Sequence, residues 1–142
     1  MRVAMSAEAL ERRLAAEFPE AFNAKSGLAI LDVWHRGARV RQDFVATSTR
    51  PGGTISGPTI MALADVAAYV AILASIGWVP LAVTTSLNIN FLRKPPPGVL
   101  IAECRLIKLG KRLAVGEVGI RAEGEEDLVA HATSTYSIPP NG

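Results

Sequence analysis

Apolar positions recur along the chain with two different periods, and the changes of period divide it into elements. After Ser6, a side chain suited to capping a helix, and Glu8 in the first turn, Leu10, Leu14 and Phe18 repeat at helical spacing as far as Pro19. A short amphipathic helix is expected there. Residues 28–34 (LAILDVW) and 39–46 (RVRQDFVA) read as two strands joined across HRGA, with Gly37 supplying the turn. Residues 47–56, TSTRPGGTIS, have the composition of a loop. Gly57 followed by Pro58 is a helix start, because proline in the first turn lacks only an amide that would be unpaired anyway. That helix is expected to run to about Ile76.

From Leu81 the period becomes two. Strands are expected over 81–94, 98–109, 111–122 and 127–138, separated by the turn sequences PPPG, LGKR and EGEE. In the first of them, Leu81, Val83, Leu87, Ile89 and Phe91 fall on one face and Thr84, Ser86, Asn88 and Asn90 on the other. Strands joined by short turns pair antiparallel, and a helix as apolar as 57–76 buries itself by lying against their sheet. The expected architecture is α+β: one curved antiparallel sheet of six strands around one long apolar helix, with a short helix at the N-terminus.

At 142 residues the chain has the size of one domain, taken here as 1–142. Hydrophobic residues make up 49% and charged residues 20%, which argues against disorder and leaves apolar surface that a second subunit could cover. The single cysteine, Cys104, excludes an internal disulfide; no CxxC or Cys/His cluster suggests a metal, and no redox cofactor is called for. This favours a reducing, cytoplasmic setting. A formal charge of +2 with neither a phosphate-cradling glycine loop nor an aromatic-plus-basic motif gives no reason to expect nucleic acid as a partner. The N-terminal stretch lacks a continuous apolar core and reads as a helix, not a signal peptide. Residues 58–83 could pass for a membrane span, but Asp65 lies inside the run and Gly77, Trp78 and Pro80 break it. A buried core helix is expected instead.

Asp65 is the one charged side chain in residues 56–77. A carboxylate in such surroundings is costly unless it is paired, hydrogen-bonded or protonated, so it requires a local partner or a chemical role. Both readings are open on the residues alone.

The order of elements, the block SGPTIMALAD, the segment AVTTSLNINFLRKP and the turn LGKRLAVGEV together resemble the hotdog-fold acyl-CoA thioesterases, in particular the phenylacetate-degradation branch, from about Leu28 to Ile138. In that family the block reads His-Gly-Gly, six residues, then an acid. Here the acid falls on Asp65, the first glycine on Gly57, the second on Pro58 and the histidine on Ser56. An asparagine often found upstream falls on Arg50, and the Ser/Thr of the following strand on Thr84. The resemblance implies that the Gly57 N–H, at a helix N-terminus, polarises the thioester carbonyl, and Pro58 removes only the next amide. It implies also that Asp65 acts as general base or nucleophile and that Thr84 orients the carboxylate or water.

Gly57 and Asp65 are eight residues apart on one helix, roughly 12 Å along its axis. If both serve one carbonyl, the acid comes from a second subunit whose helix runs antiparallel, giving two equivalent sites at a twofold interface. The family assembles in that way, as dimers or dimers of dimers.

Several side chains keep two readings. Ser56 is an N-cap, or occupies the substrate cleft beside Pro58. Arg50 is a solvated loop arginine or meets an anionic substrate group. Arg93, Lys94, Lys111 and Arg112 are solvated turn charges or contacts for the phosphates of CoA. Ala64, Ala67, Ala68 and Ala71 leave room for substrate or let two helices approach. His35, His131 and Cys104 are read as structural. The expected activity is hydrolysis of an acyl- or aryl-CoA. The alternatives are a non-catalytic acyl-CoA-binding dimer, a purely structural dimer, and a dehydratase, which would want a catalytic histidine near the helix.

Overall fold

The computed structural model describes residues 2–45 and 54–140. Helix α1 spans Ala7–Glu17, where the Ser6 hydroxyl accepts the Ala9 N–H at 3.2 Å and Leu10 and Leu14 turn into the core. Strands β1 (Leu28–Trp34) and β2 (Gly37–Gln42) form the hairpin, and helix α2 covers Gly57–Ile76, the expected range. Then come β3 (Val83–Phe91), β4 (Leu100–Leu109), β5 (Leu113–Ala122) and β6 (Leu128–Ser137). They build one curved six-stranded sheet in the order β1-β2-β4-β5-β6-β3, antiparallel at every junction, with α2 packed against it. The expected α+β hotdog arrangement is the observed one.

By length and composition α2 could cross a bilayer, but it is the core helix of this sheet. Ala64, Ala67, Ala68, Ala71 and Ala74 are at most 1% exposed, and Ala38, Val40, Ala102, Cys104, Val118, Ile120, Ala130 and Ala132 of the sheet are fully buried. Small side chains on both surfaces let the helix settle close to the strands. The alanines therefore serve the helix-to-sheet contact within one chain, not an open substrate channel or a helix pair. Both helix ends are closed: Ser56 caps the first turn, while Gly77, at φ 102°, ends the last with its N–H on the Leu73 carbonyl at 2.9 Å. The Ala4 N–H adds a bond to the Ala74 carbonyl at 2.6 Å, tying the chain's start to this end of α2. At the far edge the Glu11 carboxylate accepts the Ile30 N–H at 3.0 Å, so α1 occupies part of the open side of β1.

Three expectations change. In the first hairpin it is Arg36, at φ 71°, that takes the left-handed turn conformation, and Gly37 already belongs to β2. Glycine is required at 37 for another reason: the Trp34 indole lies where a side chain would be. The strands expected over 39–46 and 81–94 are shorter, ending at Gln42 and spanning Val83–Phe91. Finally, a bulge between Thr84 and Ser86 shifts the phase of β3, so that Thr84 stands opposite Tyr136 while Leu87, Ile89 and Phe91 stand opposite Ser134, Ala132 and Ala130. Those β6 residues are buried beneath α2. Cross-strand partners share a face, so Thr84 lies on the helix side with the apolar residues, not with Ser86, Asn88 and Asn90.

The Trp34 contact gives a direct test. Gly37→Ala should destabilise the fold by about 1–3 kcal/mol through overpacking, read from the midpoint of urea denaturation.

Candidate active site

Asp65 lies two turns into α2, on a strip of that helix that is only partly covered, within reach of β3 and β6. It faces a cleft of about 510 Å³ whose walls include Phe18, Val66, Tyr69, Val83, Thr84 and Tyr136. The carboxylate is only partly exposed, and two hydroxyls satisfy it. The Thr84 hydroxyl donates to Oδ1 at 2.6 Å, and the Tyr136 phenol donates to the same oxygen at 2.8 Å. The phenol also reaches the Asp65 backbone carbonyl at 3.1 Å. Without the bulge at Thr85, regular alternation would turn the Thr84 hydroxyl to the other face of the sheet. The sequence reading paired Thr84 with Asp65 but missed Tyr136, which is 3% exposed and lies 71 residues downstream. The available signal was its chemistry, since a buried phenol normally finds a hydrogen-bond partner.

Burial, then the neighbouring Asp65 charge, pushes the Tyr136 phenol well above its ordinary range, so it stays protonated and acts as a donor. Tyr69 stacks on it, with ring centroids 6.1 Å apart, and directs its own hydroxyl to the Pro80 carbonyl at 2.9 Å.

Gly57 stands in a separate cleft of about 430 Å³, lined by Thr54, Ile55, Ile60, Phe91, Arg93 and Lys94 among others. Its N–H has no acceptor among the described residues and sits at the positive end of a twenty-residue helix with no acid in its first turn. Among the described residues nothing demands glycine here: its φ is not positive, and an added Cβ would meet Phe91 at an ordinary 3.5 Å. Ser56 and Pro58 flank this cleft without lining it. Ser56 uses its hydroxyl as the N-cap, accepting the Thr59 N–H at 3.3 Å and bonding the Thr59 hydroxyl at 2.8 Å.

The first two turns of α2 run opposite to β3, so Gly57 lies at the Phe91 end and Asp65 at the Thr84 end. The candidate cations divide likewise. Arg93 and Lys94 line the Gly57 cleft, Arg93 already paired with Glu125 at 2.7 Å. Lys111 and Arg112 sit in the β4–β5 turn, where Leu113 and Val83 both stand opposite Ser137, at the Asp65 end. Arg50 lies outside the described residues.

Compared with known proteins, residues 52–129 match the family model described as the thioesterase superfamily. The chain belongs to the thioesterase superfamily. It is 40% identical to a candidate thioesterase from Silicibacter sp. TM1040, whose structure superposes with a TM-score of 0.88 over 99% of this chain and 96% of the other. A mutant of the phenylacetic acid degradation protein PaaI from Thermus thermophilus is 28% identical, with a TM-score of 0.71 over 86% and 98% of the two chains. A candidate esterase from Saccharolobus solfataricus is 32% identical over 101 residues, which span 71% of this chain and 66% of that relative.

Thioester hydrolysis is the chemistry of this superfamily, and Cys104 and both histidines stand away from the two clefts. Cys104 is buried in the core, and burial, then the Glu117 charge, pushes its thiol up to about 12. His131 lies 3.6 Å from Glu117, beside Arg105 and Arg121 in a separate charged groove, and His35 sits in the β1–β2 turn.

Two neighbouring substitutions separate a structural role at Ser56 from its absence at Gly57. Ser56→Ala should cost about 1 kcal/mol of stability through the lost cap. Gly57→Ala should leave stability unchanged or raise it by up to ~1 kcal/mol, because glycine is the poorer helix former. Paired urea titrations read both.

Proposed function

We propose that the protein hydrolyses the thioester of an acyl- or aryl-CoA at two equivalent sites formed between two copies of the chain. The observation that carries this reading is the division of equipment. One cleft holds a free helix N-terminal N–H and no carboxylate, and the other holds an oriented carboxylate. Roughly 12 Å of helix separates them, too far for one carbonyl.

The geometry of β3 supports the joining of two halves. It is an edge strand, largely exposed and paired only to β6, and unpaired edges of this length are normally covered or paired. Beside it, Met61, Val83, Phe91 and Leu92 are exposed apolar side chains. Antiparallel pairing of two β3 edges about a twofold axis sets the Thr84 end of one copy against the Phe91 end of the other. Asp65 of one copy then faces the carbonyl polarised by the Gly57 N–H of its partner. The same operation gathers Arg93 and Lys94 of one copy with Lys111 and Arg112 of the other around the clefts, where CoA phosphates need cations. The Ser56–Pro58 step belongs to the approach of the Gly57 half.

In the reaction the Gly57 N–H and the helix dipole hold the negative charge that grows on the carbonyl oxygen. The Asp65 carboxylate takes a proton from water as its oxygen bonds the carbonyl carbon, or adds to that carbon itself. The carbon–sulfur bond then breaks and the sulfur leaves as thiolate, a good leaving group that collects its proton afterwards; on the second route water then hydrolyses the acyl–Asp65 anhydride, releasing the acid and restoring the carboxylate. Thr84 keeps the carboxylate in place.

Following free thiol release from short, medium, long and aromatic acyl-CoAs should show turnover that falls by about 10²–10⁴ in Asp65→Asn. Tight binding of the esters by the wild type without turnover would instead mark a non-catalytic CoA-ester holder. The shared site has its own test. Gly57→Pro removes the donor, and Ser56 already has the extended conformation that a following proline needs, ψ 151°. Gly57→Pro and Asp65→Ala proteins, each inactive, should recover about one quarter of wild-type activity after unfolding and refolding together, since half the dimers are mixed and each carries one intact site. No recovery would place both residues in one chain's site or in none.

A further inference from the structure

We infer that Tyr136 is a positioning residue that fixes which oxygen of Asp65 reacts: with Thr84 it holds Oδ1, leaving Oδ2 as the working oxygen. The inference rests on the thioesterase reading above and extends it to a residue outside the Gly57–Asp65 block.

A carboxylate on a short side chain rotates about its last bond, which presents either oxygen to a neighbour. One hydrogen bond leaves that rotation poorly defined. In this site two donors converge on the same atom, Thr84 at 2.6 Å and Tyr136 at 2.8 Å, while Oδ2 has no partner among the described residues. The donors are a cross-strand pair, Thr84 of β3 opposite Tyr136 of β6, so their separation is set by the sheet. Tyr136 is anchored independently of Asp65: it is 3% exposed and its ring stacks on Tyr69. Its one proton is shared with the Asp65 backbone carbonyl at 3.1 Å, which holds the phenol against the helix as well as against the side chain.

The consequence is chemical. Two donors on Oδ1 occupy that atom and hold the plane of the carboxylate. They also point the lone pairs of Oδ2 into the cleft, where attack must begin. No other titratable group along the cleft bonds this carboxylate. Tyr69 of α2 donates to Pro80, α1 presents Phe18, and β3 presents Val83 and Thr84. The cations of that end, Lys111 and Arg112, are in the β4–β5 turn.

Tyr136→Phe keeps the ring and removes one hydroxyl. Its kcat should fall about 10–100-fold while KM changes by less than about threefold. At a single pH, the ¹³C carboxyl resonance of Asp65 in aspartate-labelled protein should move when the phenol bond is lost, with or without substrate. A purely structural tyrosine would lower thermal stability and the amount of active protein, leaving the kcat of the folded fraction and the Asp65 carboxyl resonance unmoved. Turnover in wild type with an unchanged kcat per folded site and an unmoved Asp65 resonance in Tyr136→Phe overturns the inference and leaves the thioesterase reading standing. A wild type that turns over no CoA ester overturns the thioesterase reading, and with it the role assigned here to Tyr136.

Discussion

The burial of one face of α2 is the constraint on which the rest depends. The helix lays its alanines against small side chains of the sheet, and this contact fixes its rotation as well as its depth. Once Ala64, Ala67, Ala68 and Ala71 face the strands, the helical period places Pro58, Met61, Ala62, Asp65, Val66 and Tyr69 on less covered faces, with Asp65 still reaching Thr84 and Tyr136 and Tyr69 stacking on Tyr136. Asp65 is therefore carried on a strip that the single chain leaves partly open, beside the edge strand β3. A larger residue at the alanine positions would lift the helix and move the carboxylate with it, although none of those alanines touches the cleft.

A carboxylate at such a position is tolerated only if donors reach it. The nearest strand, read as a regular alternation, offers Thr84 to the wrong face. The bulge at Thr85 corrects this by adding one residue, which carries Thr84 to the helix side and leaves Leu87, Ile89 and Phe91 on it as well. The irregularity thus reconciles two demands on one strand: an apolar face for the core and a hydroxyl for the acid. It also explains why both donors arrive together, because the shifted register sets Thr84 directly opposite Tyr136.

Local signals carried the elements well. Gly57-Pro58 and Gly77 bracket α2 because they act through backbone chemistry within a turn of their own positions, and the strand order follows from short connections. Signals that depend on tertiary neighbours were not legible. Gly37 looked like a turn glycine, but its requirement comes from the Trp34 indole above it, and Arg36 takes the positive φ. The bulge leaves no mark in TTSLNIN, where a shift of one residue exchanges the faces without changing the composition. Tyr136 carried no local sign of its role, since its link to Asp65 crosses 71 residues. Asp65 stood out as a charge in an apolar helix, whereas Gly57 read locally as a helix start and was singled out by the resemblance to the family block.

The departures from the family block acquire a physical sense in the folded chain. Where the family places histidine, Ser56 is engaged in capping, and where it places a second glycine, Pro58 removes an amide that no helix bond needs. Both changes secure the start of α2, and both leave the Gly57 N–H untouched. With no acid in the first turn, nothing offsets the positive end of the helix dipole there. In the proposed reaction, stabilisation of the oxyanion then comes from one N–H and that dipole, a fixed field that costs no rearrangement as charge develops. The other half of the site follows the same logic, with Asp65 held from two strands at once. Two rigid halves, each set by secondary structure, leave the relative placement of two chains as the one variable that decides whether they act on the same carbonyl.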